Sequence, residues 1–299
     1  MSQSALPLDA PLYTLTGDEA AFFKVETGIQ DDVQLKDHIL SIQEEAYKIY
    51  PYPCIRRFGF LGMKISKHPS YQQFLKLGKE RQGAIYADIG CCCRSFGFLP
   101  SSMSELATVG NDVRKAVADG YPVQQAIATD LHPEFWDLGH KLFKSTPESF
   151  PARFIAADIF ELKDLAKQPL ASAPELSKVQ SFAELSGSVS AIHASSFFHL
   201  FDEQQQFELA KITAALLSSA PGSMIFGSHG ANLTKGLRTE TFDNRTLSMF
   251  CHSPESWKAL WDGGVFPEGT VSVDASLEEV AMDGFNGKFY FLVWCVTVL

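Results

Sequence analysis

Apolar positions along the chain follow two different periods. From Val33 to Ile49 they recur at helical spacing: Val33, Ile39, Ile42, Ala46 and Ile49 are separated by acids and lysines, which predicts an amphipathic helix. Pro51 and Pro53 end it, because proline has no amide proton to continue the ladder. Tyr71 to Lys79 reads as a second, shorter helix. Beyond residue 80 the pattern changes. Short unbroken apolar runs at Gly83–Ile89, Ala126–Asp130, Arg153–Asp158, Val189–Ala194 and Ser223–Gly227 predict buried strands. Helical segments at Asp112–Ala118, Pro133–Phe143 and Asp202–Ser218 lie between them. This alternation predicts an α/β domain around a mainly parallel sheet. A helix over Ser253–Trp261 follows, then strands near Val271–Val273 and at Phe289–Val298. With no clear helix between them, the last two predict an antiparallel pair at the sheet edge. Residues 1–30 read as an arm or cap, and Lys167–Ser188, rich in Ser, Ala and Pro, as a surface excursion. The resulting division is a helical cap over 1–80 and a ligand-binding domain over 81–299.

Composition narrows the class. The 299 residues are 45% hydrophobic and 20% charged, as expected for a soluble globular protein of one large domain or one domain plus a cap. A net charge of −10 and no run of Lys or Arg argue against a nucleic-acid partner, which calls for a basic surface. The N-terminus, MSQSALPLDAPLYTL, lacks the positive segment and apolar core of a signal peptide. The longest apolar run, FYFLVWCVTVL, is shorter than the roughly 20 residues of a membrane span. Six cysteines with three adjacent make a poor disulfide framework and a poor zinc site, so free thiols in a reducing cytosol are expected. No tight cluster of acids and histidines suggests a metal. The 24 phenylalanines serve mostly a core, with enough left to line a pocket for an apolar acceptor.

The strand ends carry the chemistry. In open parallel sheets, ligands bind at the carboxyl ends of the strands. The first predicted strand ends in Asp88-Ile89-Gly90, the second in Asp130, the third in Asp158, and the fourth in His193-Ala-Ser-Ser-Phe-Phe-His199. One aspartate at such a place caps a helix; three on successive strands suit the hydroxyl and amino groups of a nucleoside. The chain has no G-x-G-x-x-G, the turn that presents helix amides to a pyrophosphate. S-adenosylmethionine, a nucleoside without phosphates, fits better.

These residues resemble a known family. The segments DIG at Asp88, GNDVRKAVADGYP at Gly110, TDLHPEFWDLG at Thr129, FIAADIF at Phe154 and SSFFHLF at Ser195 are similar to fungal class I methyltransferases of secondary metabolism, nearest to those of meroterpenoid pathways that methylate a carboxylate. YPYPCIR upstream and HSPESWKALW downstream extend the likeness over about Val33 to Leu299. The resemblance implies a Rossmann-like fold with a seven-stranded, mostly parallel sheet, helices on both faces and an N-terminal helical cap. It also implies an insertion. The family's turn matches when Cys92 is joined to Thr108, giving DIGCC–TVGNDVRK, so Cys93–Ala107 splits the cofactor loop. Either a retained intron or a real elaboration accounts for it, and cofactor binding then depends on Gly110 returning beside Gly90.

On this reading Gly90 and Gly110 shape the turn under the methionine part of S-adenosylmethionine, and Asp88 orients it and binds the amino group. Asp130, beside Leu131, accepts from the ribose. Asp158 accepts from the adenine, with Ile159 against the ring, and Ser195 meets the methionine part. On the acceptor side, Tyr52 and Arg56 precede the sheet in a segment able to fold over the ligand. His199, His229 and His252 are the candidate catalytic groups, holding a carboxylate or acting as base toward a phenol or amine. Trp257 and Trp261 share one helix face; core packing suits the pair, and Trp257 is also a candidate substrate contact. The implied activity is O-methylation of a small lipophilic metabolite, most simply a terpenoid carboxylate. Phenol or amine methylation, and a non-catalytic scaffold, are the alternatives. Oligomeric state is not legible.

Overall fold

The structure, a computed structural model, describes residues 7–8, 10–51, 53–91, 109–166, 174–242, 245–280 and 288–299. Tyr52 and the whole of Cys93–Ala107 therefore lie outside the described residues.

Five helices come first: α1 (Gly17–Thr27), α2 (Asp32–Ile49), α3 (Pro53–Arg56), α4 (Lys64–Lys67) and α5 (Tyr71–Glu80). Asp31 caps α2, its carboxylate accepting from the amides of Val33 and Gln34, which no residue of the first turn can satisfy. The buried stripe of α2 is Leu35, Ile39, Ile42 and Ala46; Val33 and Ile49 are exposed, so the predicted stripe is shifted at both ends. The helix α1 falls inside the segment read as an arm. It buries Phe22 and Phe23 against Phe143, a tertiary contact that no local period announces.

The sheet begins with β1 (Ile85–Ile89), and α6 (Asn111–Ala118), β2 (Ala126–Asp130), α7 (Pro133–Leu142), β3 (Arg153–Ala156), β4 (Val189–His193), α8 (Glu203–Leu216) and β5 (Met224–Ala231) follow. A two-stranded hairpin, β6 (Gly236–Phe242) and β7 (Arg245–Cys251), leads to α9 (Pro254–Trp261), β8 (Val271–Val280) and β9 (Phe289–Val298). The main sheet has seven strands in the order β3-β2-β1-β4-β5-β9-β8. Strands β1 to β5 run parallel, and β9 is antiparallel to both β5 and β8. Chain order reverses between β1 and β4, which makes the carboxyl ends of those strands the natural ligand crevice.

Alternation along the strands feeds two cores. Tyr86, Ala126, Ala191, Met224 and Phe226 face the N-terminal helices, α6 and α7. Ala87, Ile89, Ile192, Ile225 and Trp294 face α8 and α9, with Trp257 and Trp261. Helices thus cover both faces, as a parallel sheet requires.

Three expectations need correction, and one hairpin is an addition to them. Strand β5 runs on to Ala231 because Ser228, His229 and Gly230 pair with Val293, Leu292 and Phe291 of β9, which buries polar letters that look like a loop. Strand β8 extends to Val280 with alternating exposure, the pattern of an edge strand. The β6–β7 hairpin was not anticipated, since its strands are largely polar. The described part of the segment read as a surface excursion buries Leu176, Val179, Phe182 and Leu185 in the core beneath β4.

Candidate active site

A cavity lies at the carboxyl ends of β1, β2 and β3. Its walls include Gly90, Asp130, Leu131, Asp158 and Ile159, with Phe160, Phe197 and Phe201 supplying rings. Five of the eight predicted cofactor residues therefore converge on one space. Asp130 ends β2 and accepts from the His132 amide at 3.1 Å. Asp158 lies two residues beyond the end of β3, not on the strand as expected, and accepts from the Phe160 amide at 3.0 Å. Asp158 thus caps the short helical turn that follows it, Asp130 closes an Asx-type turn ahead of α7, and both border the cavity.

The turn after β1 is pinned to β2: the amides of Gly90 and Cys91 both donate to the Thr129 carbonyl, at 3.0 and 3.2 Å. Gly90 has φ +71°, and a Cβ there would stand 2.4 Å from the Phe197 ring, so only glycine fits. Gly110 opens α6 at φ +79°, packed on Trp136.

Asp88, Gly110 and Ser195 are off the cavity wall. Asp88 turns toward β4: its Oδ1 lies 3.0 Å from His193 Nδ1, and His193 Nε2 lies 2.8 Å from Ser195 Oγ. His193 carried no role in the sequence reading. Its position opposite Asp88 depends on the β1–β4 register, which the sequence does not display. Nearby, Asp112 of α6 accepts from the Ile65 amide at 2.9 Å, and burial pushes its carboxyl up from the usual range. Lys64 donates to Ser196 Oγ at 2.9 Å. These two contacts clamp α4 onto the site.

The three candidate histidines meet around Trp257. Ring centroids of His229 and His252 lie 4.6 and 5.3 Å from Trp257, and His199 lies 6.2 Å from His229. All four residues are buried. Trp294 Nε1 donates to His229 Nδ1 at 2.9 Å, so the proton of the neutral ring sits on Nε2. The Gly230 amide donates to His199 Nδ1 at 3.1 Å, which puts that ring's proton on Nε2 as well. Burial, then the neighbouring His199 and His252, hold His229 well below the ordinary histidine range, so it is neutral near pH 7. His229 Nε2 and Trp257 Nε1 are buried with no hydrogen-bond partner among the described residues. His252 borders a second, open cavity between the start of α8 and α9, lined also by Glu203, Phe207, Leu260 and Lys235. Arg56 donates to the Pro7 carbonyl at 2.8 Å and does not line the nucleoside cavity.

The same burial makes stability depend on pH. His68 and His252 are pushed from 6.5 to about 4, chiefly by burial. Their folded values lie below the unfolded one, so the stabilisation is complete above pH 6.5 and is lost as pH falls toward 4. Thermal melts should show a level Tm above pH 6.5 and a decline below it, shallower in His68→Gln, for a total loss on the order of a few kcal/mol. A level Tm down to pH 4 would mean these rings are charged in the fold.

A 3-2-1-4-5 parallel run, an antiparallel strand inserted before the edge, and a cavity at the strand ends bearing Asp130 and Asp158 define a class I S-adenosylmethionine-dependent methyltransferase. The described residues suit that donor. Asp130 and Asp158 offer acceptors for its ribose and adenine, and buried Asp88 Oδ2 has no partner among the described residues. Residues 9–61 match the family model described as the meroterpenoid methyltransferase N-terminal domain. The chain is 32% identical over 256 residues to the O-methyltransferase phiE of a fungal strain (ATCC 74256), covering 85% of this chain and 71% of that protein. It is 33% identical over 229 residues to the Asnovolin E/Chermesin D methyltransferase nvfJ of Aspergillus novofumigatus, covering 76% and 69%. The chain belongs to this family of fungal methyltransferases of secondary metabolism. Among solved structures, it is similar to a SAM-dependent methyltransferase from Methanosarcina mazei, with a TM-score of 0.46 and 12% identity over 75% of this chain and 97% of that one.

Proposed function

We propose that the chain methylates a carboxylate oxygen of a small lipophilic metabolite, most simply a terpenoid acid, to give a methyl ester. The carrying observation is the tautomer of His229. Its lone pair is taken by Trp294, so what it offers is an N–H, and the buried Trp257 Nε1–H beside it offers another. Donors without a base suit an acceptor that is already an anion. A phenol or an amine needs its proton removed, which a ring in this tautomer, held well below its ordinary pKa, does poorly.

S-adenosylmethionine, when bound, supplies a methyl group on a positively charged sulfur. Asp130, Asp158 and Ile159 hold its nucleoside, and Gly90 lets the backbone approach it. His199, His229 and Trp257 hold the acceptor carboxylate by N–H donors, so that proximity and alignment supply most of the rate. His252, Phe207 and Leu260 receive the apolar body, beside the ion pair of Lys235 with Glu203.

The test uses purified protein, S-adenosylmethionine and three probes: farnesoic acid, 4-nonylphenol and dodecylamine. Methyl ester from the acid alone is the expected product by mass spectrometry. In His229→Phe, kcat/KM for the acid should fall about 100-fold, the size of a lost donor to a charged group, while S-adenosylhomocysteine still binds. Methylation of the phenol or the amine in preference to the acid would overturn the reading.

A further inference from the structure

His193 ends β4 opposite Asp88 of β1, at the point where strand order reverses. A carboxylate oxygen only accepts, so the 3.0 Å contact requires the proton on His193 Nδ1. The Ser228 amide donates to Ser195 Oγ at 3.2 Å, which leaves the Ser195 hydroxyl proton for His193 Nε2 at 2.8 Å. Ser228, Ser195, His193 and Asp88 thus form one chain of hydrogen bonds, all pointing toward the carboxylate. Asp88 and His193 are 3% and 1% exposed.

The chain has an unused end. Asp88 Oδ2 is buried without a hydrogen-bond partner among the described residues, a costly state for a carboxylate oxygen unless a ligand fills it. Its place is next to the nucleoside cavity: Ile89 and Gly90 follow Asp88, Phe197 lies two residues past Ser195, and all three line that cavity. Lys64, on Ser196, lies beside the same loop, with the buried Asp112 carboxylate near it. A ligand with its nucleoside on Asp130 and Asp158 that extends toward β4 meets the Asp88 carboxylate, the complement of an ammonium group.

We propose that His193 is a positioning residue: by joining Asp88 to Ser195 it directs Asp88 Oδ2 to the ammonium group at the amino-acid end of S-adenosylmethionine. The inference rests on the methyl-donor reading above. Its test compares two ligands by calorimetric titration: S-adenosylhomocysteine, and 5′-methylthioadenosine, which keeps the nucleoside and thioether but lacks the amino acid. His193→Leu should weaken S-adenosylhomocysteine about 10- to 30-fold, the scale of one charge-assisted hydrogen bond, and leave methylthioadenosine nearly unchanged. His193→Asn, whose amide can replace the Nδ1–H toward Asp88, should recover most of the loss. Should His193→Leu fail to fold, Ser195→Ala cuts the chain at its other end and should show the same selective loss. Equal weakening of both ligands, or undiminished binding of S-adenosylhomocysteine, would overturn the inference. Wild-type protein that binds neither ligand would instead overturn the methyl-donor reading on which it rests.

Discussion

Asp130→Ala is expected to lower the affinity for S-adenosylhomocysteine about 100-fold. The carboxylate ends β2 at the wall of the cavity, one oxygen accepting from the His132 amide, and the proposed contact with the ribose is on the cavity side. A hydrogen bond to a charged acceptor contributes roughly 1.5–3 kcal/mol, and each 1.4 kcal/mol is about tenfold in affinity. Two ribose hydroxyls on one carboxylate place the loss near the top of that range. Methylthioadenosine should lose as much, because it carries the same ribose, which separates this substitution from those at His193. The Tm should fall by only a degree or two, since a hydrogen bond of this kind contributes about 1 kcal/mol. Calorimetric titration measures the first effect and a thermal melt the second. An unchanged affinity would remove Asp130 from the site.

Gly227→Ala is expected to have the largest effect on stability. A Cβ on Gly227 would stand 2.2 Å from the Ala194 carbonyl oxygen, 2.7 Å from its carbon and 3.2 Å from the Ser195 amide. All three are backbone atoms, so no rotamer change relieves the clash. Strands β4 and β5 must part, which strains the Ala194 amide bond to Phe226 and the Ser196 amide bond to Ser228. Overpacking of this kind costs about 3 kcal/mol, or roughly 5 °C in Tm for a chain of this size. The same displacement would separate Ser195 from the Ser228 amide. A Tm within a degree of wild type would show that the seam between β4 and β5 yields more readily than this packing allows.

What the sequence displayed was what local pattern controls. The five parallel strands are continuous apolar runs, and Asp130 and Asp158 stand at or just past strand ends, where the cavity forms. What it hid depends on partners distant in the chain. His229 looks like a loop residue until β9 pairs with β5. His193 becomes part of the site only through the register that sets it opposite Asp88. The contact of Ile65 with Asp112 spans 47 positions, and that of Lys64 with Ser196 spans 132. No periodicity in a helix of four residues could announce either one. Conversely, Asp88 had the right letter and the right neighbour, yet its side chain faces β4 and not the nucleoside cavity.

The inner placement of β9 bears on how the molecule is made. Strand β9, which follows β5 and β8 in the chain, lies between them, and among the described residues β8 pairs in the sheet with β9 alone. During synthesis, β5 and the segment that becomes β8 emerge before the element that joins them. Until β9 arrives, β5 presents a bare edge of unpaired amides and carbonyls, and Trp257 and Trp261 lack Trp294, against which they pack. Completion of the sheet therefore waits for β9, and until then the β5 edge is open to pairing with another chain.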